Sequence, residues 1–374
     1  MDYYLPSFKA CGPILSVSRI IEMADQCEFR VVTRDRDLGD LEQFNNHKPR
    51  MITAVGKAQV LYMNTKFKDW RWMRREIKHW RPDAYYVNSA HSPFSALIPL
   101  ALIKFHLLPK AKKVIIAPRG EFGTGALSMK SRKKSTFKPV IRWLIPKNVI
   151  WHASSPDEVN QIKSWWGNPS PAQTQFAVAP DPATKPADHS STGPINQTVF
   201  TFASRIDRMK GLDRANRIIE IAGREIPFTW SIHGSVTDSG YLREIEEQLT
   251  QLPPSVTVTR KESFNPDAGP DIFSQATAFV FPTLGENFGH VIAEALSVGC
   301  PVFVTANTPW TELILSGGGK VIISDEQTAT DLVALASMTH ADQKELREQV
   351  HAIYKQWFEN HKQASDPFAL IYLR

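Results

Sequence analysis

Short runs of β-branched and aromatic residues alternate with amphipathic stretches along most of this 374-residue chain. Such alternation is typical of βαβ units, whose consecutive strands run parallel. We therefore predict an α/β fold. The predicted strands cover residues 29–33, 84–87, 113–117 and 149–151 in the first half, and 198–203, 228–233, 256–259, 278–281 and 301–305 in the second.

One stretch separates the two sets of strands. Residues 177–197 gather proline, serine, threonine and glycine and have almost no apolar periodicity, which is typical of a linker. We predict a first domain at residues 1–180, a linker at 181–197 and a second domain at 198–355. The last segment, 356–374, is expected to pack back on the first domain.

Composition excludes several classes of protein. The three cysteines (Cys11, Cys27 and Cys300) show no spacing suited to zinc or to a disulfide framework. No basic and then apolar leader opens the chain, and the longest apolar run, 96–108, is interrupted by Lys104 and His106. We therefore expect a cytoplasmic protein with no membrane span and no metal site.

The sharpest motif is PTLGENFGHVIAEAL at residues 282–296. A strand there enters a glycine-containing turn and then a helix, whose first N–H groups and positive dipole end favour an anion. Glu286 stands just before this helix and Glu294 about two turns into it, so the two carboxylates can contact different parts of one elongated ligand. The alternative is that both are solvated carboxylates.

A second motif, FASRIDRMKGL at residues 202–212, again follows a strand. Arg205 and Lys210 bring two cations to the carboxyl edge of the predicted sheet, where they could neutralise a departing diphosphate. In the alternative reading they are ordinary surface charges.

Together these motifs resemble the retaining glycosyltransferases of family four. The resemblance implies the GT-B architecture: two facing Rossmann-like domains with parallel sheets and an interdomain cleft. It further implies that Arg205 and Lys210 hold the donor diphosphate, that Glu294 accepts hydrogen bonds from the ribose, and that Glu286 contacts the donor sugar. Three backbone positions, Phe288, Gly289 and His290, would complete the sugar and phosphate site, and the base of a UDP-sugar or GDP-sugar would lie near Gly234.

The resemblance extends to loops of the first domain. Gly12, in Cys11-Gly12-Pro13, corresponds to the family's glycine loop, which usually has two glycines. His91 and Arg119 follow predicted strands, and many relatives carry a sugar-contacting histidine where Arg119 stands. The alternatives are a structural role for His91 and an ion pair between Arg119 and Glu121 or another neighbour. Relatives also open with an apolar strand, whereas residues 1–6 look like the end of one, so this strand is shortened or the start is misassigned.

Positive charge is concentrated in the first domain. Residues 104–147 contain 12 basic side chains against one acid, and residues 66–81 contain seven against two. Within the latter stretch Trp70, Met73, Ile77 and Trp80 recur at helical spacing and are expected to face the core. A basic surface with tryptophan at its rim suits an anionic membrane, so we hypothesise a peripheral enzyme at the inner face of the cell membrane.

The leading functional hypothesis is transfer of a hexosyl unit from a nucleoside diphosphate sugar to a hydroxyl acceptor, with retention and without metal. A saccharide or lipid-linked saccharide in bacterial surface polysaccharide assembly is the expected acceptor. The alternatives are a nucleotide-sugar epimerase or phosphorylase of the same architecture, and a noncatalytic polyanion-binding protein. No nucleic-acid motif is present, so nucleic acid is not an expected partner.

Overall fold

The computed structural model describes residues 1–10, 12–45, 50–64, 66–123, 131–167, 175–191, 193, 197–261, 269–362 and 368. They divide into two compact units: Met1–Pro182 with Gln363–Arg374, and Ala183–Lys362. Cys11 of the expected glycine loop lies outside the described residues, as does most of the segment after Lys362.

The first unit contains strands and helices in alternation after an initial helix. Its helices are α1 (Gly12–Met23), α2 (Phe67–Trp80), α3 (Ile98–Lys104), α4 (Ser131–Leu144) and α5 (Pro156–Trp166), with a π-helical turn at Pro93–Leu97 before α3. Its strands are β1 (Phe29–Arg34), β2 (Ile52–Val55), β3 (Ala58–Met63), β4 (Ala84–Asn88), β5 (Lys113–Ala117), β6 (Ile150–Ala153) and β7 (Gln175–Val178).

These seven strands form two sheets. The first has the order β1-β3-β2, with β1 parallel and β2 antiparallel to β3. The second has the order β4-β5-β6-β7 and is parallel throughout. β1 is therefore an edge of one sheet and β4 an edge of the other.

Helix α1 contacts both sheets of the first unit. Its Val17 and Ile21 pack in a cluster with Val31 of β1, whereas its Ile20 and Ala24 pack in a cluster with Ile115 of β5. The two sheets thus share one covering helix, as expected when both belong to a single layered core.

The second unit is built on one sheet. Its strands are β8 (Val199–Ala203), β9 (Phe228–His233), β10 (Val256–Lys261), β11 (Ala278–Phe281), β12 (Val302–Val304) and β13 (Gly319–Val321). Its helices are α6 (Leu212–Gly223), α7 (Ser239–Thr250), α8 (Gly269–Ser274), α9 (His290–Ser297), α10 (Thr311–Leu313), α11 (Asp325–Ala336) and α12 (His340–His361).

This sheet has the order β10-β9-β8-β11-β12-β13, and all five pairs of neighbouring strands are parallel. Its central strands are buried on both faces, which explains why β11 is the uninterrupted apolar run AFVF. β9 and β10 follow β8 on one side of the sheet, and β12 and β13 follow β11 on the other side. The sheet therefore reverses between β8 and β11, the position where open α/β sheets bind ligands at the strands' carboxyl ends.

The predicted linker packs on the second unit. Ala187 and Ser191 donate backbone hydrogen bonds to Ser297 and Val298 carbonyls at 2.9 and 3.0 Å, and buried Arg347 donates to the Ser191 carbonyl at 3.0 Å. Trp357, which was assigned to the returning C-terminal segment, also packs on the second unit's core. Among the described residues beyond Lys362, Phe368 contacts Phe29 and Tyr86 of the first unit.

Most predicted strands occupy their predicted positions, but four were missed: β2, β3, β7 and β13. The β2–β3 hairpin turns at Gly56, whose φ of +53° favours glycine. On α2, Met73 and Ile77 are buried as expected, and Trp72 also packs against their cluster.

A buried histidine should make the first unit sensitive to acid. His152 of β6 lies between the Tyr86 hydroxyl and the Ala179 carbonyl oxygen, and burial, with Arg119 nearby, lowers its pKa from 6.5 to about 4. Between these values the unfolded chain binds the proton more readily, so the free energy of unfolding should fall as pH drops from about 6.5 to about 4. The expected loss is on the order of 3 kcal/mol.

Urea unfolding of the native chain and of His152→Gln across this pH range tests the effect. The variant should lose part of the pH dependence, whereas His79→Gln, which changes an exposed histidine, should retain it. Equal pH dependence in all three proteins would contradict the assignment.

Candidate active site

The loops that follow β8 and β11 lie side by side in the second unit. The two strands pair in parallel, with Phe200 opposite Ala278, so their carboxyl ends lie at the same edge. A backbone hydrogen bond of 2.9 Å from Leu284 N to the Met209 carbonyl joins the loops directly. Lys210 and Glu286, which are 76 positions apart in the chain, thereby become neighbours.

An ion pair connects these loops. Lys210 Nζ lies 2.7 Å from Glu286 Oε1, and the two side chains are only 14% and 10% exposed. Thr283 Oγ1 lies 2.9 Å from the same carboxylate oxygen. An ammonium group has three N–H donors, so the pair leaves Lys210 with donor capacity for an anionic ligand.

Gly211 makes this approach possible. Its φ is +72°, and a Cβ at this position would lie 2.2 Å from the Pro282 carbonyl oxygen. Only glycine accommodates both the left-handed backbone and the close packing of one loop on the other. Gly234 has a comparable role, because its Cβ would lie 1.7 Å from the Ser204 carbonyl oxygen.

The turn before α9 is held by ring packing and by a side-chain hydrogen bond. Gly289, with φ of +82°, precedes the helix, and the Phe288 and His290 rings pack 4.7 Å apart with both residues buried. Trp310 donates its indole N–H to the Phe288 carbonyl. No side chain caps the start of this helix. Because α9 follows the carboxyl end of β11, its first N–H groups and its positive dipole end lie at the same sheet edge as Lys210.

The other predicted residues of this unit are less directly joined. Arg205 is 38% exposed and lies 3.5 Å from Asp207, which itself accepts a 3.0 Å hydrogen bond from Met209 N. Glu294 is buried within α9. The structure therefore brings Lys210 and Glu286 into contact, and it places Arg205 on the same loop as Lys210 and Glu294 on the helix that follows Glu286.

His233 ends β9 immediately before Gly234. Burial, with Lys261 nearby, lowers the pKa of His233 to about 4, so its imidazole is neutral at pH 7. Its Nε2 lies 2.8 Å from Ser231 Oγ. This neutral ring stands where the nucleotide base was expected.

In the first unit, His91 belongs to a hydrogen-bonded cluster around Glu121. One carboxylate oxygen of Glu121 lies 3.1 Å from His91 Nδ1 and accepts backbone hydrogen bonds from Ala90 and His91 at 2.7 and 3.1 Å. Ser89 donates to the other oxygen at 2.7 Å. The carboxylate thus fixes both the loop after β4 and the histidine ring.

Arg119 is buried and pairs with Asp181, not with Glu121. It also donates to Asn88 Oδ1 at 3.0 Å and to the Tyr86 hydroxyl at 2.8 Å. These internal partners agree with the alternative of an ion pair to a neighbour. A role for Arg119 in sugar binding stays a prediction.

Ser16 links Gly12 to the hydrogen-bond network of Arg119 and Asp181. It is the first residue of α1, and its carbonyl accepts from Ser16 Oγ at 3.1 Å. Ser16 Oγ lies 2.7 Å from Asp181 Oδ2, so Gly12, Ser16, Asp181 and Arg119 form one connected group.

Sequence reasoning missed the structural roles of Thr283 and Asn307. Thr283 supports Glu286, and the Asn307 carbonyl accepts the Glu286 backbone N–H at 3.1 Å. The Thr-x-x-Glu spacing of residues 283–286 is a signal that could have found the first, because a hydroxyl group can donate a hydrogen bond to a carboxylate three residues away in a turn. Asn307 lies in a different loop and has no comparable signal.

Two further findings concern the described part of the chain. It contains no group of three His, Cys, Asp or Glu side chains placed to hold a metal ion. None of its helices combines the length and apolarity needed to cross a bilayer.

Comparison with known proteins shows which family the part of the chain around this site resembles. Residues 185–357 match the family model described as Glycosyl transferases group 1. A D-inositol 3-phosphate glycosyltransferase of Corynebacterium kroppenstedtii is 24% identical over 206 residues, which cover 53% of this chain and 44% of that protein. The match therefore spans less than half the length of this relative.

Solved structures share the fold across nearly the whole chain. Sucrose-phosphate synthase from Thermosynechococcus elongatus aligns with a TM-score of 0.63 at 16% identity, covering 94% of this chain and 93% of that one. WaaG, a glycosyltransferase involved in lipopolysaccharide biosynthesis, aligns with a TM-score of 0.64 at 14% identity. The alignment covers 100% of this chain and 98% of WaaG. HepE from Anabaena, in complex with UDP and glucose, aligns with a TM-score of 0.61 at 16% identity. The alignment covers 85% of this chain and 86% of HepE.

Residues 185–357, which carry the Lys210–Glu286 pair, are thus similar to the group 1 glycosyltransferases, and the two Rossmann-like α/β units share the GT-B fold of the solved structures.

Replacing Gly211 with alanine tests the packing that supports the ion pair. Gly211→Ala should lower the free energy of unfolding by about 3 kcal/mol, because it adds both backbone strain and a clash with Pro282. Gly39→Ala is the control: its φ is +82°, but an added Cβ would meet no atom within 4 Å. Urea unfolding followed by circular dichroism measures both, and equal losses would contradict a role for the close approach.

Proposed function

We propose that this protein transfers a hexosyl unit from a nucleoside diphosphate sugar to a hydroxyl group of a saccharide acceptor, with retention of anomeric configuration. The observation that carries the proposal is the Lys210–Glu286 pair at the reversal of the second unit's parallel sheet. A cation, a carboxylate and a helix N-terminus converge there, which suits a ligand with both an anionic and a hydroxyl-rich part. The complex of HepE with UDP and glucose supports the choice of donor class.

In this proposal the diphosphate lies between Lys210 and the start of α9. Lys210 offers its remaining N–H donors, and Arg205, on the same loop, has enough exposed surface to approach a phosphate. Backbone N–H groups near Gly289 add further donors without the cost of ordering side chains. These groups balance the charge that develops on the leaving diphosphate, so no metal ion is required.

Glu286 is assigned to the donor sugar. Lys210 and Thr283 both contact its Oε1, and a carboxylate has about four lone-pair positions, so acceptor capacity remains for sugar hydroxyl groups. Glu294, buried on the following helix, is proposed to accept hydrogen bonds from the ribose. Both carboxylates then position the donor without taking part in covalent chemistry.

The transfer step needs no protein base. The bond between the anomeric carbon and the diphosphate oxygen breaks, and the acceptor oxygen forms a new bond to that carbon on the same face. The acceptor's proton passes to the departing diphosphate. The enzyme contributes positioning and charge stabilisation.

Removing either member of the ion pair should reduce turnover. For Lys210→Met and Glu286→Gln we expect kcat to fall by about 10²- to 10³-fold, because each variant removes a group proposed to act on the donor. The measurement is acceptor-dependent release of UDP or GDP. The donor nucleotide is first chosen by thermal shift with UDP and GDP, since a ligand that binds only the native state raises Tm.

Lys320→Met is the matched control, because Lys320 forms a 2.8 Å ion pair with Asp331 on the exposed side of the same unit. It should retain full turnover. Wild-type rates in the Lys210 and Glu286 variants would overturn the site assignment. Nucleotide release without an acceptor, or sugar isomerisation without release, would instead indicate a hydrolytic or epimerase activity, and no turnover with strong salt-sensitive polyanion binding would indicate a noncatalytic protein.

We further propose that the acceptor is lipid-linked and that the first unit binds an anionic membrane. An exposed aromatic pair, Phe105 and Trp143, packs with ring centroids 5.7 Å apart, and Lys104 Nζ lies 4.7 Å above the Trp143 ring. Val140 beside them on α4 is also exposed. Aromatic side chains and lysine are the residues that favour the interface between headgroups and acyl chains, and each basic residue adds about 1 kcal/mol near an anionic surface.

A double variant, Phe105→Ser with Trp143→Ser, tests the membrane proposal. Its partition to phosphatidylglycerol vesicles at low salt should weaken about tenfold, because the apolar contact is lost while the charge is kept. Cosedimentation measures this, with Ile323→Ser, an even more exposed apolar site in the second unit, as the unaffected control. Equal sedimentation of all proteins, or none with the native chain, would contradict the proposal.

A further inference from the structure

The exposed aromatic pair of the first unit lies at one particular end of its parallel sheet. Helices α3 and α4 connect β4 to β5 and β5 to β6, so each helix begins at the carboxyl edge of these strands and ends at the amino edge. Phe105 follows the last residue of α3, and Trp143 lies in the last turn of α4. Their ring contact, and the hydrogen bond from Lys104 Nζ to the Trp143 carbonyl, join the two helix ends. The pair therefore lies at the amino edge.

Positive charge accompanies the aromatic pair at this edge. Three short segments lead into β4, β5 and β6 there: 81–83, 105–112 and 145–149. They contain four basic residues against one acid, Asp83. Lys110 and Lys147 are exposed, and Lys112 keeps 81% of its side chain exposed although it pairs with Asp83. We call the basic and apolar side chains at the surface of this edge the amino-edge patch: Lys104, Phe105, Leu107, Lys110, Trp143 and Lys147.

The opposite edge of the same sheet carries the predicted site residues. His91 lies just after the end of β4, and Arg119 just after the end of β5. Their partners lie inside the unit, since His91 contacts Glu121 and Arg119 pairs with buried Asp181. Ligands of parallel α/β sheets bind at the carboxyl ends of the strands. The amino-edge patch thus lies at the far end of the sheet from the edge where an acceptor is expected.

Two elements measure the distance between the edges. The π-helical turn and α3 run without a break from Pro93 to Lys104, and these 12 residues rise roughly 18 Å. The five residues of β4 extend roughly 16 Å between the same two edges. The amino-edge patch therefore lies about 17 Å from the loop that carries His91.

This distance sets the height of the carboxyl edge above a bound membrane. Aromatic and basic surfaces bind at the boundary between headgroups and acyl chains. The headgroup layer of one leaflet is about 5 to 8 Å thick, so with the amino-edge patch at that boundary the carboxyl edge stands about 10 Å beyond the headgroups. A group tethered to the lipid reaches the site only when its tether spans this gap.

We propose that the acceptor is a lipid-linked oligosaccharide whose reacting hydroxyl lies several sugar residues away from the lipid phosphate. The inference rests on the proposed glycosyl transfer and on membrane binding through the amino-edge patch. A single hexose on the same lipid stays close to the headgroups and does not reach the carboxyl edge. Earlier glycosyl transfers to the same lipid must therefore supply the acceptor, so this protein extends a saccharide that other enzymes have begun.

Fluorescent labels at the two ends of β6 test the orientation without any turnover. Asn148 before the strand and Asp157 after it are exposed, and each is changed to cysteine in a protein with Cys11→Ser and Cys27→Ser, which leaves only buried Cys300. On phosphatidylglycerol vesicles with a nitroxide quencher on the headgroup, the label at position 148 should be quenched at least about fivefold more strongly than the label at 157. Equal quenching of both labels, or quenching of neither, would overturn the proposal.

Acceptors of graded length test the substrate class. Polyprenyl diphosphates that carry one, two, four or six glucose residues are placed in phosphatidylglycerol vesicles, and the same saccharides are offered on a short water-soluble carrier. On vesicles kcat/KM should rise at least about tenfold from one sugar to six, because a tether that is too short gives almost no effective concentration at the site. On the soluble carrier all lengths should react within about twofold of one another, because no tether holds the acceptor at a distance.

The membrane variants separate distance from intrinsic preference. Phe105→Ser with Trp143→Ser should lose most of the length dependence on vesicles, whereas Ile323→Ser should keep it. Equal kcat/KM for all lengths on vesicles would count against the proposal, as would the same length preference on the soluble carrier, since the active site itself would then select the length. Transfer to none of these acceptors would contradict the proposed function instead, and the label quenching would still test the orientation.

Discussion

Parallel pairing of β8 with β11 is the interaction on which the candidate site depends. It brings together the carboxyl ends of two strands that are separated by two complete βα units. Gly211 then permits one loop to lie against Pro282 of the other, and the Leu284–Met209 hydrogen bond holds them in register. Lys210 and Glu286 meet as a consequence of this backbone arrangement.

Charged side chains in the first unit hold loops together, whereas the Lys210–Glu286 pair of the second unit is proposed to bind a ligand. Arg119 and Asp181 form a buried pair, and Glu121 is surrounded by donors from the loop that carries His91. Glu158, also buried, accepts from Ser154 N at 2.7 Å and from the Gly120 backbone. Buried charges need such partners, so these side chains fasten the loops after β4, β5 and β6 to one another. In the second unit, by contrast, the Lys210–Glu286 pair retains partial exposure and unused donors.

Prediction from sequence succeeded where a pattern is local. Strand β11 is an uninterrupted apolar run, and β5 is one after its first residue, Lys113; such strands were found because an apolar run indicates burial on both faces without knowledge of the partner strand. The hairpin of β2 and β3 was missed although β3 is almost wholly buried, because its short strands are flanked by segments without a clear period. The contacts of the linker could not be predicted for a related reason: its proline-rich composition gives no sign that Arg347, more than 150 residues away, binds its backbone.

The amino-acid sequence by itself determined the α/β class and the two cationic and acidic motifs, because periodicity, glycine turns and charge are properties of adjacent residues. Tertiary structure decided which of those charges act together. It joined Lys210 to Glu286, turned Arg119 inward to Asp181, and brought Phe105 and Trp143 together at one edge of a sheet. These outcomes depend on strand order and on close backbone packing between distant segments, and neither can be read from neighbouring residues.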